Sequence, residues 1–214
     1  MNVRTPLELH YHPLASFCHK VLLGLYENET PFTPRLVDLG DAASRAAFEA
    51  IWPMAKMPVL VAGDEVVPES SIILEWLDLH RPGPVALIPR EHAIATRLAD
   101  RFYDHYVHDP MQRIVADRLR PAERRDPLGV DQARAMLARS YAHVERQMAS
   151  RTWAIGDVFT MADCAAAPAL YWANRVHPVT TPHARAYLER LLARPSCRRV
   201  LDEAEPYQRF FPAG

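Results

Sequence analysis

Ala55-Lys56-Met57-Pro58-Val59-Leu60 puts a proline at the mouth of an extended apolar segment, and Pro68-Glu69-Ser70-Ser71-Ile72-Ile73 follows a short hairpin later. The second stretch reads as a loop turning into a helix, with an acid and hydroxyls at the turn. A helix start offers free N–H groups and partial positive charge to a carboxylate. The Ser70 hydroxyl adds a donor to that carboxylate, and Glu69 can pair with an ammonium group. Set beside a proline that opens a strand, such a turn makes a pocket for a small zwitterionic peptide. Lys56 offers a charge to a second carboxylate. Each part also has a plain structural reading: a trans proline starting a strand, a capped helix, an exposed lysine.

A second group of reactive types lies near the N-terminus, in Ser16-Phe17-Cys18-His19-Lys20. A hydroxyl at Ser16 and a thiol at Cys18 stand at the start of a helix, where an anionic sulfur is stabilised. The alternatives are a helix cap for Ser16 and a small buried residue for Cys18. Tyr11 adds a phenol nearby that packs at the end of a strand. His10 and His12 share a strand face, and His105 and His108 a helix face, at spacings that suit a metal. No acid or cysteine stands ready to complete either set, so surface or packed histidines are expected and no metal is assigned.

The elements that must hold these residues follow from periodicity. Leu7 to Tyr11 alternates in polarity and predicts a strand; a helix follows from about Phe17 to Glu29, with Val21, Leu22, Leu25 and Tyr26 on one stripe. Phe32 to Val37 predicts a second strand, incompletely paired at Pro34, so that strand, helix and strand make a parallel crossover. Ala42 to Glu49 predicts a short helix, and Gly63-Asp64 a hairpin between Val59–Val61 and Val66–Val67. A helix from Ser71 to about His80 should turn Ile72, Ile73, Trp76 and Leu77 inward. Three prolines and a glycine between Arg81 and Pro89 then mark a semi-rigid linker.

Beyond the linker strand signals vanish. Ile94, Leu98, Phe102 and Tyr106 recur at helical spacing, as do Leu137, Tyr141, Val144 and Met148. Thr160 and Asp163 predict a capping box ahead of an alanine-rich helix that Pro168 should kink. The division is therefore residues 1–82, mixed α/β; 83–90, linker; and 91–214, all-helical.

The 214 residues carry 25 basic and 26 acidic side chains, a net charge of -1 that gives no basic excess for nucleic acid. The arginines at 113, 118, 120, 124 and 125 interleave with Asp117, Glu123 and Asp126 and read as a solvated face. Three irregularly spaced cysteines, Cys18, Cys164 and Cys197, make neither a disulfide framework nor a zinc motif and fit a reducing compartment. The N-terminus lacks the apolar core of an export signal, and no apolar run reaches membrane-spanning length. A cytoplasmic protein is expected.

The order of elements, with Phe17-Cys-His-Lys-Val21, Lys56-Met-Pro-Val-Leu60, Pro68-Glu-Ser-Ser71, Gly156-Asp-Val-Phe-Thr-Met-Ala-Asp163, Arg194-Pro-Ser-Cys and Ala204-Glu-Pro-Tyr207, resembles the cytosolic glutathione transferase family, in its bacterial, serine-type branch. The resemblance spans essentially the whole chain. It implies a thioredoxin-like N-terminal domain, an all-helical C-terminal domain, and glutathione as cosubstrate without a metal. It also implies a cis bond before Pro58, with the Met57 backbone facing the peptide, Glu69 and Ser70 at its γ-glutamyl end, and Lys56 near its glycyl carboxylate. The branch's activating hydroxyl falls on Ala15, with Lys20 as the matching helical cation; Ser16, one residue on, is the substitute donor, and Cys18 is the alternative as a reactive thiol open to a mixed disulfide with glutathione. A small apolar electrophile would bind between the domains, with Tyr103 and Tyr106 as its wall and Trp172 and Phe210 on the far side. Family members are usually homodimers. The reading is conjugation of glutathione to that electrophile. Another glutathione-dependent reaction on the same fold (isomerase, dehalogenase, peroxidase), or binding without turnover, is the alternative.

Overall fold

The structure, a computed structural model, describes residues 5–212. Met1–Arg4, part of the stretch read above for an export signal, lie outside them. Strand β1, Leu7–Tyr11, buries Leu7, Leu9 and Tyr11 on one face, as its alternation requires. Helix α1, Ser16–Glu27, is buried along most of its length. The chain returns through β2, Thr33–Leu36, which pairs parallel to β1 as the crossover predicts. All four β2 residues are exposed, and β2 forms the sheet edge, where Pro34 costs no ladder bond on its outer side.

Helix α2, Ala42–Ile51, begins where the Asp41 carboxylate accepts the Ser44 N–H at 2.7 Å. It runs two residues beyond the predicted Glu49. Strands β3, Val59–Ala62, and β4, Glu65–Pro68, form the expected hairpin, with Gly63 at φ 66° in its turn. The four-stranded order is β2-β1-β3-β4, with β3 antiparallel to both neighbours.

Helix α3, Ser70–His80, buries Ile73, Leu74 and Leu77, spaced one and four apart as a single face demands. Ile72, expected inside, is about half exposed, and Trp76 sits at the edge, donating its ring N–H to Glu65 at 2.9 Å.

The helical half starts with one continuous rod: α4, Ala93–Phe102; a wide π turn, Tyr103–His108; and α5, Asp109–Arg118. Its apolar stripe is on the outside. Ile94, Leu98 and Tyr106 are 79%, 70% and 50% exposed, while Thr96, Asp100 and Asp104 are buried. Asp100 and Asp104 take the inner face here because polar partners wait for them on α1 and α3.

Helix α6, Pro127–Met148, does turn Leu137, Tyr141, Val144 and Met148 inward. Helix α7, Met161–Val176, is the buried centre of this half, with α8, Pro182–Ala193, and α9, Pro195–Ala204, around it. The capping box forms: Thr160 Oγ accepts the Ala162 N–H at 3.2 Å, and Asp163 accepts the Thr160 N–H at 2.9 Å. Asp163 also takes the Ala154 N–H and the Tyr187 hydroxyl, so one carboxylate ties three segments together.

One buried cluster joins the two halves. Lys20 Nζ on α1 lies 2.6 Å from Asp100, 2.9 Å from Asp104 and 2.9 Å from Ser71 Oγ on α3. Ser71 donates onward to Asp100 at 2.7 Å, and Arg101 closes the group against Asp104. Burial pushes the Asp104 carboxyl up while Lys20 pulls it back down. Removing one partner strands opposite charges in a dry place, which costs on the order of 3 kcal/mol. Lys20→Met should lower stability by about that much in urea unfolding, and Asp104→Leu in the same chain should restore part of the loss.

Candidate functional site

Sheet topology decides which sequence motifs meet. His10 at the end of β1 pairs with Val59 at the start of β3, and Val59 pairs with Pro68 at the end of β4. The exit of β1, the entry of β3 and the exit of β4 therefore lie at one end of the sheet. The loop into α1, the Lys56-Met57-Pro58 segment and the start of α3 all gather there, though they are far apart in the chain.

At the first of these, residues 12–15 form a pinned loop. His12 Nδ1 accepts the Leu14 N–H at 3.1 Å, Ala15 N–H bonds His12 O at 3.0 Å, and His19 Nε2 bonds Pro13 O at 2.5 Å. Burial lowers the pKa of His12, and that of His19 to about 4, so both rings hold the loop as neutral groups. Ala15 is the N-cap of α1 and supplies no side-chain cap, leaving the first helical N–H groups open.

Ser16 does not cap the helix either. Its hydroxyl is buried and meets His108 Nε2 at the end of the π turn, with Gln112 Nε2 at 3.5 Å. The His108 ring is also buried and lies 3.9 Å, centroid to centroid, from Phe17. Burial, with Lys20 and His19 nearby, pushes the His108 pKa down to about 3.

Met57–Pro58 is the cis peptide expected there. Lys56 is exposed. Glu69 is exposed at φ 70°, outside the usual range for a non-glycine residue, and provides no side-chain cap for α3. The first N–H groups of α3 are thus open beside a buried Ser70. Two uncapped helix starts, at Ala15 and Glu69, face one sheet end and favour bound negative charge.

Other expected residues lie elsewhere. Cys18 is fully buried, and burial pushes its thiol up to about 12. That thiol is neither exposed nor ionised near neutral pH, so the role as reactive thiol falls away. Tyr103 and Tyr106 line a cavity of about 460 Å³ between α4 and α6, with Leu98, Phe102, His143 and Gln147. Tyr106 stands two residues before His108, and residues two apart on a helix do not share a face. The cavity is lined by residues of the helical half alone, and neither Ser16 nor His108 is among them. Phe210 is exposed, and Phe211 instead stacks on Trp172 at 4.9 Å. The pairing of His105 with His108 also fails. The wide turn separates them, leaving His105 exposed beside Asp109 and His108 inside.

Gln112 and Arg101 are not marked out for this end of the sheet by sequence, and His108, which lies on the helix expected to face the electrophile, is not paired with Ser16 there. The π turn that aims His108 has no recognisable sequence signal.

The family models described as "Glutathione S-transferase, N-terminal domain" and "Glutathione S-transferase, C-terminal domain" match residues 9–85 and 122–190. The chain is 30% identical over 208 residues to glutathione S-transferase 3 of Zea mays, covering 92% of this chain and 93% of that one. It is 26% identical over 209 residues to the stringent starvation protein A homolog of Coxiella burnetii, covering 96% of each. Among solved structures, a glutathione S-transferase of Methylobacterium radiotolerans in complex with glutathione sulfonate superposes with a TM-score of 0.79 at 27% identity, over 92% of this chain and 94% of that one.

All three cysteines are buried and free. A chromogenic thiol reagent near neutral pH should label none of them in the folded protein and all three after denaturation. Rapid native labelling of Cys18 would contradict its buried position in α1. Acid should also destabilise the fold. His19 and His108 stay neutral in the folded state while the unfolded chain takes up protons near 6.5. Stability present above about pH 6.5 is then lost as pH falls. Asp163, raised by burial to about 6, works in the opposite direction. The slope of unfolding free energy between about pH 6.5 and 4.5 should therefore flatten in His108→Gln.

Proposed function

The chain belongs to the glutathione S-transferase family, and we propose that it binds reduced glutathione at the sheet end where α1, β3 and α3 begin. Ser16 stabilises its thiolate there, and the sulfur attacks an electrophilic carbon of a small apolar compound, forming a C–S bond as the carbon's bond to a leaving group such as halide breaks and the anion departs to solvent. The observation that carries this reading is the convergence of two uncapped helix starts with Met57–Pro58 and Glu69 at one end of the sheet. In this reading the α3 N–H groups and Ser70 take the γ-glutamyl carboxylate, and Glu69 takes the ammonium. The Met57 backbone at Pro58 pairs with the cysteinyl unit, and Lys56 meets the glycyl carboxylate.

The thiol proton leaves to solvent, and the resulting anion is held by the Ser16 hydroxyl and the positive end of α1. A free thiol titrates near ~8.5, so even one good hydrogen bond to the anion raises the reactive fraction at neutral pH substantially. The electrophile must come within about 3.5 Å of the sulfur. It therefore belongs on the Ser16 side of the α4–α5 rod, near Gln112, rather than in the cavity lined by Tyr103 and Tyr106. Catalysis comes from thiol activation and proximity, without a metal.

Ala15 favours one second reading, a glutathione-binding protein without turnover, because it leaves the branch's usual hydroxyl position empty. A homodimer working in the cytoplasm completes the proposal. Three free, buried thiols suit a reducing compartment. Residues 1–82 carry the cosubstrate, 83–90 link, and 91–214 frame the electrophile. Among the described residues, no helix is long and apolar enough to cross a membrane.

The protein should be retained on immobilised glutathione, and the double change Glu69→Ala with Ser70→Ala should abolish retention. Conjugation of an activated aromatic halide should fall about tenfold or more in Ser16→Ala, the worth of one hydrogen bond to a charged group. Retention without turnover across a broad electrophile panel would select the second reading. No retention would remove the proposal.

A further inference from the structure

We propose that His108 is a positioning residue for thiol activation: its Nε2–H donates to Ser16 Oγ, so that the one hydroxyl proton of Ser16 is left for the glutathione sulfur. This rests on the reading of Ser16 above and gives His108 a role that sequence does not assign to it.

Counting protons decides the direction of that bond. A serine hydroxyl has one proton to donate and two lone pairs to accept with; a neutral imidazole has one N–H and one bare nitrogen. Ser16 Oγ meets His108 Nε2, and both groups are buried. His108 Nδ1 is also buried and has no hydrogen-bond partner among the described residues. The ring is neutral at working pH, since it is desolvated and has Lys20 and His19 as neighbours. Two tautomers then remain.

With the proton on Nδ1, a buried N–H is left without an acceptor, and Ser16 spends its proton on Nε2. With the proton on Nε2, the ring donates to Ser16 and leaves only a bare nitrogen unpaired. Orphaned buried N–H donors are rarer than under-satisfied acceptors. The second tautomer is therefore favoured. A hydroxyl that accepts one hydrogen bond is polarised into a better donor for the next. Phe17, its ring tilted at 51° against the imidazole, confines that ring, and Gln112 at 3.5 Å is the more distant donor. Ser16 and His108 come from opposite halves of the chain, so the two halves build one donor together.

The test reads the thiol pKa of bound glutathione from thiolate ultraviolet absorbance across pH. Ser16→Ala should raise that pKa by about one unit. His108→Phe should raise it by a similar amount, and the double variant by no more than either single change. His108→Gln, whose amide N–H reaches the same place, should keep the value near wild type. If Ser16→Ala moves the pKa and His108→Phe does not, the role of His108 is wrong and that of Ser16 stands. If Ser16→Ala moves nothing, the reading of Ser16 fails and this one with it. Nitrogen NMR of the wild-type ring decides the tautomer even if a variant fails to fold. A proton on Nε2 and a bare Nδ1 support the proposal, and the reverse overturns it.

Discussion

Lys20 carries a full positive charge into the junction of α1, α3 and α4, where its side chain is only 1% exposed. A lone ammonium in such a place would not stay charged or would unfold the region. Asp100, Asp104 and Ser71 make it tolerable, and in doing so they fix the distance between the thioredoxin-like part and the helical part. The candidate site lies close by along the same three helices. Ser71 is the second residue of α3, one position after Ser70; Lys20 is one turn after Ser16; Asp104 is one turn before His108. The same lock that holds the halves together therefore aims the open ends of two helices and the Ser16–His108 contact.

The site is built mostly from backbone. Of the helix starts without a side-chain cap, those at Ala15 and Glu69 are both at the same end of one small sheet. Capping would have stabilised each helix by about 1 kcal/mol. Leaving those N–H groups open sets aside that stability, and in the proposed reading they are the donors for an anionic peptide. Glu69 at φ 70° belongs to the same pattern, because an unfavoured backbone angle persists only where its surroundings hold it.

Much of this is legible in the sequence, for reasons that differ by element. β1, the crossover to β2, the hairpin at Gly63 and the box at Thr160 and Asp163 are written in local chemistry: alternation, turn residues and cap residues. The motifs at Pro58 and Glu69 are readable for the same reason. α4 is legible as a helix but not in the face it buries, because its apolar residues Ile94 and Leu98 point outward and its carboxylates inward. Periodicity finds the apolar face and assumes it is buried; a buried polar cluster reverses that assumption. Cys18 reads as a candidate reactive thiol from its place in the first turn of α1, which says nothing of the packing above it. Spacing pairs His108 with the wrong neighbour, since it presumes an unbroken α-helix.

That presumption fails at the six residues Tyr103–His108, where the helix widens by a residue and then resumes. Each residue of an α-helix advances the side chains by about 100°. Shortening the segment by one position would swing everything beyond it around the axis while leaving Asp100 in place. The rod thus carries two faces set in phase with each other: one upstream that grips Lys20, one downstream that presents an imidazole. An insertion or deletion between them would throw the two out of register even if every contact on either side survived, so the length of this stretch constrains the protein as firmly as the identity of its residues.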